Sequence, residues 1–169
     1  MTVRIADPSD APAIAALVNR AYEVEAFFVA GDRTSADEVR RLIEQGRILV
    51  VDRDPPHTGI AGCVFTTMDG GRGYFGMLAV APETQRLGLG RALIDACESS
   101  ARDAGCHVMA IKVVNLRTDL IRRYERLGYV ATGIEPYVHR PVLQPCHFVT
   151  MEKPLEPAGG RPIRRSARS

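Results

Sequence analysis

The spacing of apolar positions changes period along the chain, and each change marks an element. Val3-Arg-Ile-Ala6 alternates as a short strand, after which Ile14, Leu17, Val18 and Ala21 recur at helical spacing. Asp10, with Pro12 just behind it, is the expected N-cap of that helix. A second helix opens through the box Ser35-x-x-Glu38 and turns Val39, Leu42 and Ile43 to one side. Three apolar runs follow, Ile48–Asp52, Ile60–Met68 and Tyr74–Val80, separated by the turns Asp54–Gly59 and Asp69–Arg72, so a meander is predicted. Helical spacing returns at Leu89, Leu93, Ile94 and Cys97 and lasts to about Ala104, before Gly105. Val108–Val114 is a continuous apolar strand suited to a sheet centre. Thr118–Leu127 is a helix with Leu120, Ile121, Tyr124 and Leu127 on one face; strands at Tyr129–Gly133 and His147–Lys153 close the pattern, joined by a proline-punctuated loop, Pro136–Pro145. The order βααβββαβαββ defines a single α/β domain with a mixed sheet and no internal repeat.

The junction between the fourth strand and the third helix carries the chemistry. Tyr74–Val80 breaks at Pro82, passes through Gln85-Arg-Leu-Gly-Leu-Gly90 and resumes as the helix that begins near Leu89. The first turn of a helix has N–H groups without partners and about half a positive charge from the dipole. Glycines let the backbone close on an anion where a Cβ would collide, and Gln85, Arg86 and Arg91 add donors and charge. A pyrophosphate site is the expected result. A nucleotide-hydrolysing P-loop does not fit, because Gly90 is followed by Arg91-Ala92 instead of Lys and a hydroxyl. The dinucleotide fingerprint does not fit either: Leu93 stands in place of the third glycine, and no acidic residue lies near Ala110 or Lys112.

Gln85-Arg-Leu-Gly-Leu-Gly90, set between strand and helix, resembles the acyl-CoA loop of the GNAT N-acetyltransferase superfamily, Gln/Arg-x-x-Gly-x-Gly/Ala. Tyr124-Glu-Arg-Leu-Gly-Tyr129 resembles the end of that superfamily's following helix. The likeness spans residues 2–155 and implies a mixed, mostly antiparallel sheet of six to seven strands, flanked by four helices, with splayed central strands. It implies acetyl-CoA as co-substrate, contacted by Leu78, Ala79 and Val80 on the fourth strand and by Gln85, Arg86, Leu87, Gly88, Leu89, Gly90 and Arg91 in the loop. An Asn that the superfamily often places seven residues before the Tyr is Arg117 here, with Asn115 two residues earlier as the nearest stand-in. Tyr124 takes the place of the residue that protonates departing CoA thiolate; its alternative is a packing residue before the helix cap Gly128.

The irregular stretch between the first two helices borders the acceptor pocket in that superfamily, with Glu25 and Phe28 as candidate substrate contacts and Tyr22, Glu23, Phe27, Asp32 and Arg33 beside them. Acids among aromatics suit an amine, which is cationic before it reacts; the alternative is a solvated loop with its two Phe in the core. The implied reaction is acetyl transfer to a primary amine of a small molecule or peptide by direct attack. The fourth strand lacks a carboxylate, so Glu25, His139 and water remain as candidates for the base. A CoA-binding sensor that does not turn over is the competing reading.

Composition narrows the partners. With 46% hydrophobic residues in 169, one domain with its own core is expected. Of 22 basic and 20 acidic residues, four and one fall after Pro154, so the body is at −1 and the positive charge is in the tail. Residues 156–169 are expected to form a disordered, Arg-rich tail, and no basic or aromatic surface signature accompanies it to suggest nucleic acid. No apolar segment reaches membrane-span length and Met1-Thr-Val-Arg4 lacks a signal-peptide core, so a cytoplasmic protein without membrane association is expected. Cys63, Cys97, Cys106 and Cys146 lack metal-ligand or disulfide-framework spacing, and no metal is expected. The family likeness allows a homodimer.

Overall fold

A computed structural model describes residues 1–157. The elements run β1 (Val3–Ile5), α1 (Ala11–Ala21), α2 (Ala36–Gln45), β2 (Arg47–Asp52), β3 (Ile60–Asp69), β4 (Arg72–Val80), α3 (Leu89–Asp103), β5 (Val108–Val114), α4 (Thr118–Arg126), β6 (Val130–Pro136) and β7 (His147–Pro154). The seven strands form one sheet in the order β1-β2-β3-β4-β5-β7-β6, antiparallel except for β4 and β5. Sheet and helix composition thus meet the expectation of six to seven strands and four helices. The tail lies almost wholly outside the described residues.

The central strands read as continuous apolar runs because both sheet faces are covered. Ile48 and Val50 of β2 pack with Cys63 and Ala79 against Ile14, Val18 and Val39 of α1 and α2. Leu49, Val51, Val64 and Phe75 point the other way, onto Leu93, Ile94 and Cys97 of α3 and Tyr124 of α4. A one-residue slip in any of these strands would exchange the two cores.

Two irregularities of β4 shape the site. Cys63 pairs with Ala79 and Phe65 with Gly76, so Met77 and Leu78 together face the single residue Val64. This is a β-bulge, and it places Met77 at φ 52°. On its other edge β4 meets β5 through only three pairs, Arg72 with Val108, Gly73 with Met109 and Tyr74 with Ala110. Beyond Tyr74 the two strands part, which produces the expected splay.

Local differences from the sequence reading have local causes. A 3-10 turn, Pro8–Asp10, precedes α1 and moves the cap upstream: Asp7 accepts from the Ser9 N–H at 2.8 Å, and Asp10 accepts from the Asp7 N–H at 2.9 Å and from Arg4. Ser35 does cap α2, accepting from the Glu38 N–H at 3.2 Å, whereas the Glu38 carboxylate turns to Thr34 and Arg140. β6 continues past Gly133 to Pro136, since a register shift between Ala131 and Gly133 absorbs the glycine and pairing with β7 resumes. The proline-punctuated loop after β6 is pinned to the segment after α1: Ala30 donates to Pro141 at 3.2 Å and Leu143 to Phe28 at 2.8 Å.

Candidate active site

A cavity of about 680 Å³ lies where β4 runs into α3. Its floor is the end of β4, whose edge toward β5 is unpaired from Phe75 onward. The chain then makes a 3-10 turn, Pro82–Thr84, and reaches α3 through two left-handed positions, Arg86 (φ 73°) and Gly88 (φ 79°, ψ 12°). A non-glycine residue held there costs of order 1 kcal/mol or more, so the Arg86 conformation is imposed by its surroundings. Gly88 occupies the N-cap without a side-chain capping bond, leaving the first N–H groups of α3 to face the cavity. A Cβ on Gly90 would stand 3.0 Å from an Arg123 guanidinium nitrogen, so the glycine gives the arginine of α4 its place over the α3 terminus. Donors, dipole and guanidinium converge on one spot, which fits a multiply charged phosphate group.

A second cavity of about 280 Å³ opens on the far side of the splay. Tyr22, Leu78, Leu120 and Tyr124 line both cavities, so they meet through the gap between β4 and β5. The Tyr22 hydroxyl donates to the Leu78 carbonyl at 3.1 Å and ties the end of α1 to the bulged strand.

Tyr124 stands in that gap and is 7% exposed. Its ring belongs to an aromatic triangle with Phe75 at 6.0 Å and Tyr129 at 5.8 Å. The triangle is fixed from behind, where the Tyr129 hydroxyl donates to Glu98 at 2.8 Å and Lys153 reaches both Glu98 oxygens at 3.0 Å. Burial pushes the Tyr124 hydroxyl up to about 12, against the pull of Arg123 and Arg117. It is therefore a protonated donor throughout the neutral range.

Glu25 lies on the wall of the second cavity, 6% exposed and 3.3 Å from Arg117. Burial raises its pKa, and Arg117 and Arg33 oppose the rise. His139 lies on the same wall with its ring 5.4 Å from Phe148; burial and then the charge of Arg33 lower its pKa below 6.5. The imidazole is neutral at pH 7.

Most of the residues singled out by sequence come together. Leu78, Ala79, Val80, Gln85, Arg86, Gly88, Leu89, Gly90 and Tyr124 all line the larger cavity, and Glu25 lines the smaller. Four do not line either. Leu87 is 66% exposed, and Arg91 pairs with Asp95 at 3.0 Å along the outer face of α3. Asn115 accepts from the His147 N–H at 2.9 Å, which fastens β5 to β7. Phe28 is fully buried among Val29, Val114 and Phe148, so it packs the loop that walls the site. Sequence reading missed Thr84, Arg117 and Arg123, which line the larger cavity. For Arg123 a signal existed, since it precedes Tyr124 on the helix; for Arg117 the fold alone supplies the contact with Glu25.

The sequence profile of the Acetyltransferase (GNAT) family matches residues 13–129, which contain the whole of β4, the glycine loop, α3 and Tyr124. The chain belongs to the GNAT acetyltransferase family. Among curated relatives, the L-methionine sulfoximine/L-methionine sulfone acetyltransferase of Salmonella typhimurium is 30% identical over 146 residues, covering 82% of this chain and 85% of that protein. The L-amino acid N-acyltransferase MnaT of Escherichia coli is 29% identical over 145 residues, covering 82% and 84%. Among solved structures, the Escherichia coli ribosomal-protein-S18-alanine N-acetyltransferase superposes with TM-score 0.72 at 21% identity, over 95% of this chain and 97% of that one. The structure of yncA from Salmonella typhimurium with its cofactor acetyl-CoA gives 0.70 at 24% identity over 94% and 96%. These structures share the GNAT fold.

Among the described residues no helix is long and apolar enough to cross a membrane, and no group of three or more His, Cys, Asp or Glu is placed to hold a metal ion.

Proposed function

We propose that the protein transfers an acetyl group from acetyl-CoA to a primary amine of a small molecule or peptide by direct attack, with Tyr124 as general acid. The observation that carries this reading is the position of Tyr124 where the two cavities meet, buried and protonated. The free N–H groups of α3, with Gln85, Arg86 and Arg123, would hold the CoA pyrophosphate, and the open edge of β4 from Leu78 to Val80 would hold the pantetheine arm. Acetyl-CoA supplies the activated thioester. On this reading an amine in the smaller cavity bonds through its nitrogen to the acetyl carbon, and the carbon–sulfur bond breaks with its electron pair on sulfur. The Tyr124 hydroxyl gives its proton to that sulfur and is reprotonated from solvent. His139, neutral and on the cavity wall, takes the proton lost by the amine. Glu25 is engaged by Arg117 and positions it.

Both curated relatives named above act on amino acids or close analogues by their descriptions, which makes that class the first acceptors to try. The test is thiol release from acetyl-CoA by the purified protein across amino acids, polyamines, small amines and peptides, with a no-acceptor control. Release that depends on one acceptor class supports the transferase. Binding of acetyl-CoA without release across the whole panel favours the sensor reading.

A further inference from the structure

The smaller cavity and a neighbouring one of about 400 Å³ share Arg33, Tyr74, Gly76, Met77 and His139, so the acceptor side is a passage that runs outward from Tyr124 past Arg33. The Arg33 guanidinium carbon lies 5.2 Å from the centre of the Tyr22 ring. That stacking orients a fork of donors without using them up.

Among the described residues, Arg33 is the one arginine or lysine on the wall of the smaller cavity without a carboxylate partner; Arg41, farther out in the neighbouring cavity, reaches only the Asp37 carbonyl at 3.4 Å. Lys112 of β5 pairs with Glu135 at 2.7 Å, Arg140 of the following loop pairs with Glu38, and Arg117 at the start of α4 pairs with Glu25 at 3.3 Å and Asp119 at 3.2 Å. Glu25 is the one carboxylate on the wall of the smaller cavity, and it is already matched. Among the described residues no carboxylate lies within 4 Å of Arg33. A simple cationic amine entering here meets an unmatched positive charge. An amine that also carries an anionic group does not.

Resting on the transferase reading above, we infer that the acceptor is an amino acid whose carboxylate is bound by Arg33, while its amine faces the gap beside Tyr124. Arg33 is then the residue that sets acceptor specificity. A volume of about 280 Å³ at the reacting end is at the low edge of small-ligand pockets, typically about 300–1,000 Å³. That size suits the amine and carboxylate of an amino acid, whose side chain would extend outward into the adjoining cavity.

The experiment compares L-amino acids with their carboxamides, which keep the amine and side chain but lose the carboxylate charge. Steady-state thiol release and calorimetric binding to the CoA-loaded full chain are measured for wild type, Arg33→Gln and Arg33→Lys. Wild type is expected to favour at least one acid over its amide by about ten- to hundredfold, as charge-assisted pairing predicts. Arg33→Gln should abolish that preference mainly through the acceptor KM, with the acetyl-CoA KM unchanged; Arg33→Lys should retain part of it. Equal use or binding of acid and amide by wild type overturns the inference, as does full preference in Arg33→Gln or binding of neither series. Acid-selective binding without thiol release would sink the transferase reading and leave the Arg33 assignment standing.

Discussion

Tyr74 and Ala110 form the last pair between β4 and β5, and the gap that opens beyond them is where Tyr124 stands. Had the parallel pairing continued, backbone hydrogen bonds would have filled the space that joins the two cavities. The bulge at Met77 and Leu78 falls on the same stretch of β4 that has lost its pairing with β5, so two irregularities of one strand coincide there.

Removing the Tyr124 hydroxyl tests the acid. Tyr124→Phe preserves the aromatic triangle with Phe75 and Tyr129, so the fold should hold. Turnover should fall by about 10² to 10⁴ while acetyl-CoA affinity stays within a few-fold of wild type. Pre-steady-state thiol release and calorimetry measure the two quantities separately. Undiminished turnover would remove Tyr124 from the chemistry.

The glycine loop offers a test of the anion site. Gly88 sits at φ 79° with no atom within 4 Å of a Cβ built on it, so space is available but the backbone disfavours a side chain. Gly88→Glu should cost about 1–2 kcal/mol of stability from that conformation. It should also lower acetyl-CoA affinity more than tenfold, because a like charge then faces the phosphates. Gly88→Ala separates the effects, since it carries the strain without the charge. Equal affinity in the two variants would move the phosphates elsewhere.

The proton acceptor is decided by a pH profile. Burial and Arg33 hold the His139 pKa below 6.5, so kcat limited by this base is flat above that value and declines as pH falls through the lowered pKa. His139→Gln should lose about 10² or more in kcat and flatten that limb. Glu25→Gln should act chiefly on KM by freeing Arg117. A limb retained in His139→Gln and lost in Glu25→Gln would reverse the two roles.

Buried phenols give the fold an alkaline limit. Burial raises the pKa of Tyr22, Tyr124 and Tyr129 above the ordinary value near 10, and for Tyr129 the neighbouring Glu98 adds to the rise. Above pH 10 the unfolded chain releases these protons while the folded chain keeps them, so the unfolded state binds fewer and stability falls with pH. The contribution is complete below pH 10 and lost as pH climbs through the folded-state values. Thermal melts between pH 8 and 11 should show this decline, with a shallower slope in Tyr129→Phe. A melting temperature independent of pH over that range would contradict the burial of these hydroxyls.

What the sequence determined by itself was the set of features that depend on neighbours along the chain. The loop Gln85–Gly90 needs glycine where the backbone turns left-handed, and Gly88 is there; apolar spacing set Tyr124 on the inner face of α4, and both survive in the structure. Leu87 and Arg91 share that loop and helix with the site residues, yet Leu87 is exposed in the loop before the helix and Arg91, one helical turn from Asp95, pairs with it on the outer face. Phe28 and Asn115 belong to the same lesson: an aromatic ring and an amide in the right neighbourhood were drawn instead into packing and strand pairing.

Only the tertiary structure decided the rest. The parting of β4 from β5, the meeting of Arg117 with Glu25, and the placing of Arg33 on the cavity wall beside Tyr74 and His139 all depend on segments far apart in sequence. Their cause is long-range: strand register, two-faced burial of the sheet and the pinning of the loop after β6 onto the segment after α1. Local propensity has no access to such distances, whereas charge matching is settled only once the chain has closed on itself.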